Sequence, residues 1–443
     1  MRAPLSLLAT LALACSSPSA NEPGETSGDG DGDGDSTSAT TDTTDTTTST
    51  GDGDGDGDGD VCFVEGLGDD ACQGDDLWCV DGQCVPCSDA GGDEACLALT
   101  TAGDVCNAGV CVECTPDNSD ACQGDTPVCD PTDFTCVPCS RHDQCSGSAC
   151  NFITGACFDD TKVFYVDGDD GSDANDGSSG APFETISFAI DQVPTGEDWV
   201  IFVEATVGDY ADTIGLSDGG RAIAFLGSGL PVIDGTPTVG ANISAGATAF
   251  IDGFQFSDAN GSGVECGNGT FFLDNSIVFQ NAGDGILIGS SCDATVRNSF
   301  VTGHTGLGSM RHEVNNAGTL SISYSSLAGS GGISEVVTCT GGTTSISDSI
   351  VVSATTSLDC AGATVSRTAI NNSSFSAEND NRNPGPLDPN WFVNFVGGAL
   401  HLAGDGSPAD FGGLAVPQPG DLLTDFDDQT RPNPGFVGAD EPG

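Results

Sequence analysis

Short apolar runs recur along the carboxy-terminal half of the chain at the spacing of one solenoid turn. The pattern apolar-x-polar-x-x-apolar starts at Ile251, Leu273, Val296, Ile322, Ile346 and Val365, at intervals of 22, 23, 26, 24 and 19 residues. These intervals are too short for a strand-helix-strand crossover with a long helix, and they fit stacked turns. Five places after each start stand Phe256, Val278, Val301, Leu327, Val351 and Ile370, so stacking buries continuous apolar rows. A third row aligns Cys266, Ile288, Val314, Cys339 and Cys360. It sets Cys339 and Cys360 one turn apart, at the ~4.8 Å that a disulfide tolerates. Cys266 and Cys292 remain as the other pair.

The amino-terminal half carries no such period. Residues 1–20 hold one base, Arg2, and an apolar stretch from Leu5 to Ala14, which is too short for a membrane span and fits an export signal. Residues 21–61 consist largely of Gly-Asp repeats around a Ser/Thr tract. That composition cannot offset the entropy of folding, so the segment is expected to be a disordered acidic linker. Its alternating Asp suggests calcium loops, yet the bend and distal Glu of such loops are missing, and weak counterion condensation accounts for it better.

Cysteine changes the picture between 62 and 158. Four sets of four follow one another: Cys62/Cys72/Cys79/Cys84, Cys87/Cys96/Cys106/Cys111, Cys114/Cys122/Cys129/Cys136 and Cys139/Cys145/Cys150/Cys157. With few apolar residues to build a core, disulfides must hold each unit. Zinc would need reduced thiolates, and redox chemistry a thioredoxin-like context that no helical period supplies. Pairing within a set stays open among three arrangements. Removing Cys15 from the 21 cysteines leaves an even number, which favours a separate fate for that residue.

Charge narrows the partners. Over 443 residues, 9 Lys+Arg against 67 Asp+Glu give a net charge of −58, and so acidic a chain repels nucleic acid and anionic headgroups. No base lies between Arg2 and Arg141.

Four stretches resemble known families. Leu11-Ala-Leu-Ala-Cys15 resembles a bacterial lipoprotein lipobox, with Ala12 where Leu is usual; this implies acylation of Cys15, an outer-membrane lipoprotein facing outward, and membrane contact through the lipid. Ala12-Leu-Ala14 also fits ordinary cleavage and secretion. The cysteine array is similar to the small repeats of the Dickkopf amino-terminal type. Val163-Phe-Tyr-Val166, the Gly/Asp/Asn loop to Gly177, and Pro182-Phe-Glu-Thr-Ile186 resemble the entry motif of bacterial pectin-lyase-like proteins. That likeness implies an all-β, right-handed parallel β-helix over 160–375, opened by a short capping helix. From Leu387-Asp-Pro389 through Gly406-Ser-Pro-Ala409, Arg431-Pro432 and Gly438-Ala-Asp-Glu441 the chain resembles the closing module of bacterial surface β-helix proteins, which implies a cap over 376–443.

Candidate chemistry is sparse. One place after the starts, Asp252, Asp274 and Arg297 fall on three consecutive turns, where a solvated cross-strand ion pair is the simpler explanation. Glu265 and Glu313 are expected to face outward two turns apart, at the far limit for an inverting pair. Gly303-His304-Thr305 resembles the Gly-His-Gly of polygalacturonases without its second Gly, and Arg311-His312-Glu313 is dense in titratable groups. Lyases of this fold use calcium-binding Asp with a basic partner; few bases and only 3 Trp and 3 Tyr weaken both lyase and sugar-binding readings. The expectation is a non-enzymatic surface protein for display, adhesion or contact with extracellular polysaccharide or another surface protein. A polysaccharide lyase or glycoside hydrolase is the alternative. No cofactor is implied beyond calcium under that alternative.

Overall fold

Ile251, Leu273, Val296, Ile322, Ile346 and Val365 stand opposite one another in a single parallel register. So do Phe256, Val278, Val301, Leu327, Val351 and Ile370. The computed structural model describes residues 78–442 except 81–82, 98–102, 235–237, 305–311, 330–334, 373, 376–378, 405–407 and 417–423. The export signal, Cys15, the acidic linker and Cys62 and Cys72, with the pairing of Cys79 and Cys84, lie outside the described residues.

The parallel strands form three faces. The first runs from Val163–Val166 and Trp199–Glu204 through Ala222–Ser228 and Ala247–Asp252 to Thr364–Ser366. The second runs from Ile214–Leu216 to Leu358–Asp359. Val264–Asp274 and Ile286–Arg297 are long enough to turn the corner between these two faces. The third face has seven strands, from Val232–Asp234 to Ala369–Ile370, so the solenoid has seven turns. Its interior is a continuous apolar column, including Phe225, Phe256, Phe271, Leu273, Val278, Val296 and Val301. The helix Ile186–Gln192, capped by the Thr185 hydroxyl, buries Ile186, Ala189 and Ile190 against the first turns.

The turn after each first-face strand is uniform in backbone though mixed in side chain. Gly253, Asn275, Asn298, Tyr324, Asp348 and Arg367 all adopt positive φ, between 45° and 74°. Asn and Gly tolerate this region; Tyr and Arg adopt it only where neighbours impose it. A column of buried hydroxyls follows the bend. Ser276, Ser299, Ser325 and Ser349 each accept the backbone N–H of the residue one turn earlier, at 3.2–3.3 Å, and each donates to the carbonyl two residues before it. The bend's polar backbone is thereby satisfied inside the solenoid.

The third row departs from its expected alignment. Val314 stands opposite Ile286, while Ile288 faces Asn316, which faces Cys339. The longer connection before residue 314 shifts the register by two residues.

In the cysteine-rich region the described sets share one connectivity, first to third and second to fourth: Cys87–Cys106 with Cys96–Cys111, Cys114–Cys129 with Cys122–Cys136, and Cys139–Cys150 with Cys145–Cys157. The third and fourth cysteines face each other across a short antiparallel hairpin or bridge. Cys266–Cys292 and Cys339–Cys360 join adjacent solenoid turns. The last cysteine unit lies on the first face, where Phe152 and Phe158 pack edge-on against Phe250, and Phe152 also against Phe272.

The closing segment does more than cover an end. Residues 379–382 close the last turn, with Arg382 pairing with Ala369. The remainder lies along the outer surface of the third face, burying Trp391, Phe392, Leu400, Phe411 and Val437 against Phe279, Phe300, Tyr324 and Ile350. Among the described residues no helix is long and apolar enough to cross a membrane.

Candidate functional site

Asp252, Asp274 and Arg297 are each the last residue of a first-face strand, directly opposite one another in register. Strand alternation turns them outward, because the preceding Ile251, Leu273 and Val296 point into the core. They do not form a solvated face. Arg141, His142 and Asp143 of the last cysteine unit, with Thr424 and Asp428 of the closing segment, enclose them in a cleft of about 260 Å³. Asp274 is only 3% exposed. The expectation of an open ion-pair surface is corrected: the docking of the Phe152 unit covers the row.

Arg297 grips Asp274 with two hydrogen bonds, Nε to Oδ1 at 2.8 Å and Nη2 to Oδ2. The guanidinium lies over the Phe152 ring, 4.4 Å from its centroid. Both oxygens of Asp274 are thus engaged, and the pair is one charge-neutral unit beneath an aromatic lid. Asp252 has no such partner among the described residues and accepts a 2.6 Å hydrogen bond from Asn275 Nδ2. Burial, and next the charge of Asp274, push its carboxyl up to about 7. His142 is driven the other way, down to about 4, chiefly by burial; its Nδ1 accepts the backbone N–H of Cys150. The imidazole is therefore neutral at pH 7.

From Asp252 a hydrogen-bonded chain runs along the bend. Asn298 donates to Asn275 at 2.6 Å, and Arg431 donates to Asn298 at 2.7 Å. Arg431 lies over the Tyr324 ring and beside Glu441, at 3.6 Å. In the sequence Arg431 and Glu441 stand only as parts of the closing motif. Nothing in the strand period signals that Arg431 meets a row more than a hundred residues earlier.

Glu265 and Glu313 are not brought together. Glu265 stands partly exposed opposite Leu287, which faces Asn315. Glu313 is fully buried, with Oε2 3.0 Å from His304 Nε2, so the outward placement expected of it is wrong, for the same register shift that displaces Val314. His304 Nδ1 accepts the backbone N–H of Asn281, which fits an interior structural role. The backbone N–H of His312 donates to Asp284. Arg311 lies outside the described residues.

The ionisation of Asp252 gives a stability signature. Its folded pKa is raised from the ordinary 3.8 to about 7. The stability it contributes is therefore full below the unfolded value and is lost as pH rises through the folded one. Asp252→Asn, which cannot ionise, is expected to gain stability over the parent protein across that window. The gain should reach on the order of 1–3 kcal/mol above neutrality. Denaturant unfolding of both proteins at stepped pH checks this; a difference that stays flat contradicts the assignment.

The fold and cleft together define a disulfide-rich parallel β-helix protein. Residues 48–163 match the profile of a family of unknown function (DUF8331), which covers the cysteine-rich region. Among solved structures, the crystal structure of pectate lyase Pel9A matches at 16% identity with a TM-score of 0.37, covering 47% of this chain and 62% of that one. A rhamnogalacturonan lyase matches at 12% identity with a TM-score of 0.28, covering 42% and 57%. The chain spans less than two thirds of either lyase. No curated protein matches.

Proposed function

We propose that this is an exported bacterial lipoprotein, held at the outer membrane through acylated Cys15. It presents its β-helix as a non-enzymatic surface for display, adhesion or contact with extracellular glycan. The observation that carries this reading is the state of Asp274. Both of its oxygens are tied to Arg297 under Phe152, so the row of Asp252, Asp274 and Arg297 serves to seat the cysteine-rich unit. Disulfides in every described cysteine set support export to an oxidising compartment. The acidic linker supports a tether that stands the folded part off the membrane. At −58 the chain suits neutral or cationic glycans better than uronates.

A second reading rests on one observation. The Asp252 carboxyl, pushed up to about 7 chiefly by burial, stands beside the carboxylate of Asp274, and a carboxyl raised toward neutrality next to a second carboxylate is the usual acid of glycoside hydrolysis. Under it the protein is a hydrolase, and Asp252 is the acid.

Anchoring is tested apart from catalysis. In a two-phase detergent partition the exported protein is expected in the detergent phase, and Cys15→Ser in the aqueous phase, since acyl chains give a large apolar transfer term. A partition that Cys15→Ser leaves unchanged rejects the lipid anchor.

A further inference from the structure

The closing segment contains a second cluster, remote in sequence from the Asp252 row. His401 lies on the strand Ala399–Leu402, Asp427 in the turn after Asp425, and Asp440 two residues before the last described position. Their ligand atoms all lie within 4.8 Å of one another. His401 Nδ1 is 3.2 Å from Asp427 Oδ2 and 3.5 Å from Asp440 Oδ1. Among the described residues it is the one group of this kind that disulfides do not account for.

Each member is held in place by contacts other than those with its partners. Asp440 Oδ2 accepts the backbone N–H of Leu402 at 2.6 Å, which turns Oδ1 toward His401. Asp427 is set by its own N–H donating to Asp425 Oδ1. The imidazole is wedged edge-on against Phe300 and Phe426, at 4.9 and 5.7 Å between centroids, and Nδ1 faces the carboxylates.

What remains unsatisfied lies at the centre of the cluster. The Asp440 side chain is only 3% exposed, yet its Oδ1 makes no hydrogen bond with any described residue, and neither does the buried His401 Nδ1. Oδ1 and Nδ1 are left facing each other at 3.5 Å without hydrogen-bond geometry, and two carboxylates aimed at one point repel. A cation at that point relieves both.

We propose that His401, Asp427 and Asp440 bind a divalent transition-metal ion of the zinc class. A tetrahedral ion with ligands near 2.0–2.2 Å requires ligand atoms about 3.3 Å apart, and both separations from Nδ1 fall close to that. One imidazole and two carboxylates match zinc-like ions, whereas calcium demands about six to eight oxygens and has no use for the imidazole. Asp427 is 47% exposed, which leaves the solvent side for a water or an external ligand. Bound there, the ion ties the strand at 399–402, the turn at 425–428 and the segment at Asp440 into one unit along the third face.

The test uses the full chain with disulfides intact, stripped by chelator and dialysed. Calorimetric titration with zinc is expected to show one ion per chain, with calcium at the same concentrations giving no such event. Asp427→Asn and His401→Ala should each weaken zinc binding roughly tenfold or more. Asp427 is half exposed, so its variant keeps the fold and decides the matter if the His401 variant fails to fold. His142, His304 and His312 remain in both variants. Zinc uptake by the parent that is weak and non-stoichiometric, or equal affinity in Asp427→Asn, overturns the proposal.

Discussion

Replacing Arg297 with methionine is expected to cost about 3–5 kcal/mol of folding stability, the penalty of leaving a buried charge without its partner. Asp274 is nearly inaccessible and both its oxygens depend on Arg297, so the substitution strands a carboxylate beneath Phe152. The loss should include the seating of the cysteine-rich unit, because the guanidinium also supports the Phe152 ring. Replacing the pair together, Asp274→Asn with Arg297→Met, should cost clearly less than the single change, since no charge is left uncompensated. Denaturant unfolding of the three proteins measures this. A single variant within about 1 kcal/mol of the parent would fit a solvated ion pair instead.

The second large effect concerns the disulfides. Converting Cys96 and Cys111 to serine is expected to unfold their unit while leaving the solenoid intact. The bridge closes a loop of sequence separation 15, worth about 3 kcal/mol in chain entropy. Only Cys87–Cys106 and a small buried cluster, Trp78, Cys87, Ala95, Cys96 and Cys111, would remain to hold the unit. New protease nicks should appear between 87 and 111, with the fragment from 160 onward retained. The solenoid has its own apolar column, so breaking Cys339–Cys360 should produce no comparable opening. Nicking that spreads equally into the solenoid contradicts a separately stabilised unit.

How far the sequence anticipates this molecule depends on the range of the interaction. The solenoid rows were legible because a parallel turn repeats its inward residues at a nearly fixed interval, and Leu273, Val296 and Ile322 carry that interval without ambiguity. The third row failed at Val314, where the preceding connection is longer and the interval no longer counts turns. The hydroxyl column was visible in principle as Ser276, Ser299, Ser325 and Ser349, three places after successive starts; polar residues at a bend simply read as loop. The environment of Asp252 and Asp274 was not legible. It is made by Phe152 from one direction and Asp428 from another, and docking of separate segments leaves no period in a sequence. The one hint was Phe152 and Phe158 in a region otherwise poor in large apolar residues. Arg431 belongs to the same class, since its partner Asn298 is more than a hundred residues away.

Cleavage is the measurement that bears most directly on the account. The full chain with its disulfides intact, offered neutral and uronate polysaccharides with and without calcium, is expected to release neither reducing nor unsaturated ends, because Asp274 is committed to Arg297. Products that form at a rate abolished by Asp252→Asn would contradict that, and would make the covered row a catalytic site.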